Sequence, residues 1–216
     1  KLGTPQGGVV SPLMANLYMN RFLKHWRITR CSEAFCARVI SYADDFVILS
    51  QGRARQSLQW TQGVMGKLGL QLNEDKTVVR DARKEHFDFL GYTFGSMYFK
   101  KTGKPYMAAS PSKKSIGRLK QKVGGILRPG EKGAWPDVCA RLNALLRGWF
   151  TYFGYGTTQI ACRAVERNVY NRVRLFLVER HKLHSQGIRR FPSEKVFGEL
   201  GVLLPRSMIQ AVRRVP

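Results

Sequence analysis

An α+β fold is expected for this chain of 216 residues. Short apolar, β-branched runs are confined to the first 110 residues or so. Beyond them only helical periodicity remains. Between the two regimes stands Ser110-Pro111-Ser112, a break in character that marks a domain boundary. Hydrophobic residues make up 44% and aromatic residues 11% of the chain, enough to bury one large core or two small ones.

The elements follow in order. The chain opens on a Gly/Pro-rich loop, and Ser11-Pro12 reads as an N-cap followed by proline at the first helical position. Met14, Leu17, Tyr18, Phe22 and Trp26 recur at helical spacing, so an amphipathic helix runs to about residue 27. Val39-Ile40 and Phe46-Val47-Ile48-Leu49 are two strand-length runs, and Ala43-Asp44-Asp45 between them predicts a β-hairpin with acids at its tip. A helix follows over 53–68, weakened by Gly63 and Gly66. "LGLQLNEDKTVVR" reads as a short strand and a turn at Asn73-Glu74-Asp75. "FDFLGYTFGSMYFKKTGKPYMAA" reads as short antiparallel strands with a turn near Thr102-Gly103.

Three helices are expected after residue 110. The first spans about 112–127. The second spans about 136–153, with Leu142, Leu145, Leu146, Trp149, Phe150 and Phe153 on one face. The third spans about 160–183, where Val165, Val169, Val173, Phe176 and Leu177 form one stripe and Arg163, Arg167, Asn171 and Arg174 another. A short helix near 193–200 closes the chain. The two expected domains are therefore 1–110 and 111–216.

Charge is the outlying property. Thirty-seven Lys and Arg face 14 Asp and Glu, a net +23. A chain so basic repels itself and calls for a polyanion, with nucleic acid as the first expectation. No stretch approaches the ~18 apolar residues that span a membrane, and no signal peptide is visible. The excess is uneven: residues 111–216 carry 21 basic and 6 acidic residues, residues 1–110 carry 16 and 8. Four cysteines, at 31, 36, 139 and 162, make no CxxC pair, which argues against zinc and for idle thiols in a reducing, cytoplasmic setting. His25, His86, His181 and His184 are scattered and carry no assigned chemistry.

Two adjacent acids inside an apolar run admit two readings. Asp favours turns because it bonds its own backbone. Adjacent carboxylates at a hairpin tip also suit a hard divalent cation such as Mg²⁺, which binds through one or two carboxylates and substrate phosphates.

The surroundings of "YADD" decide between them. It is preceded by "GTPQGGVVSPLMANLYMN" and followed by "GLQLNEDKT" and "FDFLGY". This ordered set, over residues 2–94, closely resembles the reverse transcriptases of bacterial group II introns, also called intron maturases. "LLRGWFTYFGYG", residues 145–156, is similar to the maturase-specific thumb segment of that family.

The resemblance implies a partial polymerase palm followed by a helical thumb that binds RNA. Asp44 and Asp45 would be the catalytic ligands of a two-Mg²⁺ site. Tyr42 and Ala43 would line the nucleotide and primer end, with Gln6 and Gly7 along the nascent base pair. Lys76 would face the incoming triphosphate, or be an ordinary solvated lysine. Phe89, Leu90 and Gly91 would form the primer grip, although Leu90 also fits a core position. RNA would meet Lys113, Lys114, Arg118, Lys120 and Lys122 on one helix and Arg163, Arg167 and Arg174 on another. Trp149, Phe150 and Phe153 fit core positions, while Tyr152 is open to stacking on a base.

Implied partners are intron and template RNA, a DNA primer and deoxynucleoside triphosphates. The family's third metal-binding carboxylate lies upstream of the "PQG" block, just where this chain starts. The chain therefore reads as the C-terminal part of a longer protein, inactive by itself, and its open palm edge calls for a covering partner such as a second copy. Two other readings stay in view: an RNA-binding splicing cofactor without polymerase activity, and a reverse transcriptase of a defence system or other mobile element.

Overall fold

The structure, a computed structural model, describes residues 10–99 and 102–206. It divides into two compact units, 1–80 and 81–216.

In the first unit, α1 (Ser11–Ile28) leads through a single turn, α2 (Cys31–Ala34), into the antiparallel hairpin β1 (Ala37–Tyr42) and β2 (Asp45–Ser50), followed by α3 (Ala54–Lys67). Pairing runs from Ala37 opposite Ser50 to Tyr42 opposite Asp45. Because side chains alternate across a strand, Ala37, Val39, Phe46 and Ile48 share one face, and that face packs on α1 and α3. The core closes around Phe22, which lies 5.4 Å from the Phe46 ring, and around Trp26, which meets Trp60 edge-on at 5.3 Å.

The expected apolar stripe of α1 divides in two. Phe22, Trp26 and the unforeseen Met19 are buried, whereas Met14, Leu17 and Tyr18 are exposed. The hairpin and α3 pack on the later turns of the helix only, so periodicity identified the helix but not how far its cover extends.

No strand forms at 68–80. Gly69 takes φ 70° and the chain bonds back locally, Leu70 N–H to Met65 O and Gly69 N–H to Gly66 O, a Schellman cap that ends α3. The turn at Asn73 does form: the N–H groups of Lys76 and Thr77 both donate to Asn73 O. Local bonds thus occupy the backbone on both sides of residues 71 and 72, and Leu70 and Leu72 still pack on the core.

In the second unit, β3 (Phe87–Phe89), β4 (Tyr92–Tyr98) and β5 (Pro105–Pro111) make an antiparallel sheet in sequence order. Helices α4 (Lys113–Ile126), α5 (Trp135–Phe153) and α6 (Gln159–Arg180) follow, then a π-helical turn at Lys195–Glu199. The stripes expected from periodicity meet in one core, in which Leu142, Leu146 and Phe150 of α5 and Val165, Val169 and Val173 of α6 are buried together with Leu119 and Val123 of α4.

The change of character at 110–112 falls inside this second unit, at the junction of β5 and α4. Sheet and helices are tied by backbone contacts. Ser112 N–H donates to Gly91 O, and Thr157 N–H donates to Ala109 O at 2.7 Å. Gly156 permits the latter approach: its φ is 73°, and a Cβ there would sit 2.4 Å from Ala109 O.

Candidate functional site

The acid pair stands at the end of the β1–β2 hairpin. Ala43 and Asp44 form the two-residue turn, and Asp45 opens β2 opposite Tyr42. Ala43 holds φ 53°, a left-handed conformation that costs a non-glycine residue about 1 kcal/mol. Tyr42, Ala43, Asp44 and Asp45 are all exposed, so neither carboxylate bears a burial penalty before it meets a cation. Two adjacent oxygen-ligand side chains on a stiff tip fit Mg²⁺ in donor type. Among the described residues no cluster of three or more His, Cys, Asp or Glu side chains forms.

Alternation puts Tyr42 and Asp45 on the hairpin face opposite the core, together with Ile40, Val47 and Leu49. Ile40 and Leu49 are exposed there. The face that carries Asp45 thus has an apolar middle, with Asp45 at one end and the exposed Arg38 at the other.

Lys76 sits in the exposed turn after Asn73. Its N–H donates to both Asn73 O and Asn73 Oδ1, and these bonds define the turn without engaging the ammonium group. Gln6 and Gly7 lie outside the described residues.

Phe89, Leu90 and Gly91 belong to the second unit. Leu90 (φ 50°) and Gly91 (φ 81°) are the two turn residues between β3 and β4, and positive φ at both is the pattern of a tight primed hairpin turn. The turn is clasped by the helices. Ser115 Oγ donates to Gly91 O at 2.9 Å, Tyr152 OH donates to Leu90 O at 3.0 Å, and Tyr92 OH donates to Tyr152 O at 2.7 Å. Burial pushes the Tyr92 phenol pKa above its ordinary value, which keeps it a donor. Periodicity could not reveal this clasp. Its one sequence signal is Tyr152, the aromatic residue that falls off the α5 stripe.

The cationic residues sort by what already engages them. Arg128 and Arg141 pair with Glu131, Arg206 with Glu166, and Lys195 with Glu199. The Gly133 N–H and the Arg141 guanidinium hold the Glu131 carboxyl below the usual carboxylate range. On α4, Lys114, Arg118 and Lys122 recur at four-residue spacing in one exposed row. Lys113 is exposed and Lys120 half-buried on the other flank. Arg163 and Arg167 are exposed on α6. Among the described residues none of these seven makes an ion pair or a side-chain hydrogen bond, so all are available to phosphate.

Arg174 departs from the expected stripe. It shares the helical face of Arg163 and Arg167, but its side chain is only 9% exposed. Its guanidinium donates to Gln186 O and lies 5.8 Å from the centre of the Tyr170 ring. The segment after α6 folds back over this end of the helix, so Arg174 is a structural residue and not a phosphate contact.

All four cysteines are free; Cys31, Cys139 and Cys162 are buried and Cys36 is exposed. No helix among the described residues is long and apolar enough to cross a membrane.

Comparison with known proteins matches two segments of the chain. Residues 1–94 match the family model described as reverse transcriptase (RNA-dependent DNA polymerase), and residues 116–193 match the group II intron, maturase-specific domain. Protein YkfC of Escherichia coli (strain K12) is 31% identical over an alignment of 125 residues, and the match covers 42% of this chain. The match spans 32% of that relative's length.

Proposed function

The chain belongs to the reverse transcriptase and maturase family of group II introns, and from that premise we propose that it contributes metal ligands to RNA-directed DNA synthesis, which it does not carry out by itself, and binds intron RNA for splicing. The observation that carries the catalytic half is the exposed pair Asp44-Asp45 at a hairpin tip inside the matched reverse transcriptase segment. These two carboxylates are the proposed Mg²⁺ ligands. Bound metal would activate the primer 3′-hydroxyl and stabilise the leaving pyrophosphate. Tyr42 and Ala43 flank the reacting ends, Gln6 and Gly7 lie along the new base pair, and Lys76 meets the triphosphate of the incoming deoxynucleotide. The Phe89-Leu90-Gly91 turn is proposed to grip the primer strand. Its backbone is fixed by Ser115 and Tyr152, so a shift of the thumb helices would be felt at the turn.

The RNA-binding half rests on the unpaired cations of α4 and α6, with Arg174 left out. Phosphate contacts of this kind supply affinity without reading sequence. We take residues 1–110 as the palm and 111–216 as the thumb, the cytoplasm as the working compartment, and a second copy of the chain as a candidate cover for the apolar face of the hairpin.

A splicing cofactor without polymerase activity would need the cations but not the acids. Converting Asp44 and Asp45 to Ala in the polymerase that carries this sequence separates the two. The expected result is loss of cDNA synthesis by at least about a thousandfold, because the removed charges act at the reacting atoms, with splicing retained. Unchanged cDNA synthesis would overturn the catalytic assignment. The isolated chain is expected to bind intron RNA but not to extend a primer at physiological Mg²⁺, because two carboxylates from one turn hold Mg²⁺ weakly. Primer extension by the 216-residue chain would contradict this.

A further inference from the structure

A cleft of about 540 Å³ opens between α4, α5 and the Leu90-Gly91 turn, a size within the usual range of ligand sites. We propose that this cleft takes one unpaired nucleotide of the bound RNA, the base against Tyr152 and Trp149 and its phosphate on Arg118 and Lys122. The inference rests on the RNA-binding reading above and assigns it a subsite.

Four observations support it. The walls differ in kind: Arg118 and Lys122 stand on α4, one turn apart, without an acid partner among the described residues, while Tyr152 and Trp149 stand on α5. A nucleotide has the same two-sided chemistry, a flat π-face and an anion. Tyr152 is 52% exposed although its hydroxyl is engaged at Leu90 O, so the side chain is held in place without being covered. Trp149, half-buried, lines the same wall beside Tyr152 and adds a second aromatic surface there.

The fourth observation is Gly148. It sits inside α5 and lines the cleft. A glycine there weakens the helix by up to about 1 kcal/mol relative to alanine. Packing within the chain does not demand it, because a Cβ at Gly148 would meet no atom within 4 Å. Its missing side chain leaves the cleft open. Gly91, by contrast, is required at its place, with φ 81° and Ser115 Oγ only 2.9 Å from where a Cβ would stand.

The test uses the 216-residue chain and two probes, a single-stranded RNA carrying 2-aminopurine and a fully paired RNA duplex of the same length. Gly148→Leu fills the cleft without a clash at its Cβ. It is expected to weaken single-strand binding about tenfold, the effect of losing one base stack, and to leave duplex binding within about twofold. Tyr152→Leu is expected to do the same, whereas Tyr152→Phe keeps the ring and the wild-type fluorescence change. If Gly148→Leu lowers the melting temperature, the Tyr152 pair decides. Wild-type single-strand binding by Tyr152→Leu, or equal losses on both probes, would overturn the subsite while the RNA-binding reading stands. A wild-type chain that binds neither probe would overturn both.

Discussion

At the hairpin tip Ala43 sits in a conformation that does not suit it. Its φ of 53° is one that glycine adopts freely, so Ala43→Gly is expected to stabilise the first unit by about 0.5–1 kcal/mol, read as a shift in denaturant midpoint. An alanine held there against that preference presents a methyl group beside Asp44 and Asp45. Cys162 makes a second residue-scale case. Burial, with help from the nearby Glu166 charge, pushes its thiol pKa up from 9.0 to about 11. The folded state therefore holds that proton more tightly than the unfolded chain. Its contribution to stability is complete below about pH 9 and is lost as pH rises through about 11. In the folded chain at pH 8 an alkylating reagent is expected to modify the exposed Cys36 and to spare Cys162. Rapid loss of both thiols would contradict the burial of Cys162.

Among the elements, the β3–β4 turn depends most on its neighbours. Gly91 combines a left-handed φ with side chains close around it: a Cβ would stand 2.9 Å from Ser115 Oγ and 3.0 Å from Phe153 Cζ. Gly91→Ala is expected to destabilise the second unit by about 1–3 kcal/mol in equilibrium unfolding. Helix α4 starts beside it with a side-chain cap, Ser112 Oγ accepting from Ser115 N–H at 3.1 Å. Ser112→Ala should therefore cost about 1 kcal/mol. The capped helix end, the turn and the Tyr152 hydroxyl share one hydrogen-bonded group, so these losses will not add simply. The hairpin expected at Thr102-Gly103 is present between β4 and β5, where Phe99 N–H donates to Lys104 O. Periodicity also located α4, α5 and α6 to within about three residues at each end, because in each an apolar face repeats over several turns. The expected strand near 70 had no such support: "LGLQL", five residues with three leucines, satisfies a strand or a capped helix end equally well.

At the scale of the whole molecule the net charge of +23 bears on the proposed binding of RNA. Affinity should fall steeply with salt as condensed counterions are released. Replacing Lys114, Arg118 and Lys122 together with Ala is expected to lower the slope of log affinity against log salt by about 2 for single-stranded RNA. Arg174→Ala should leave that slope unchanged and lower the melting temperature, since it removes a buried guanidinium and its bond to Gln186 O. A fall in slope for Arg174→Ala would return that residue to the binding surface.

By itself, the order of "PQGG", "YADD", "NEDK" and "FLGY" determined the family, and alternation and helical spacing determined most elements, because both are written in short stretches of chain. Tertiary structure decided what each periodic face meets. It covered Phe22 and Trp26 and left Met14 and Leu17 exposed, buried Arg174 while Arg163 and Arg167 stayed outside, and drew Leu90, Ser115 and Tyr152 into one clasp. Leu90 and Tyr152, far apart in the chain, become neighbours only when helices pack, and no local pattern records that meeting. Periodicity states which side of a helix is apolar or charged; the neighbour that arrives there determines whether the side is core, cleft or surface.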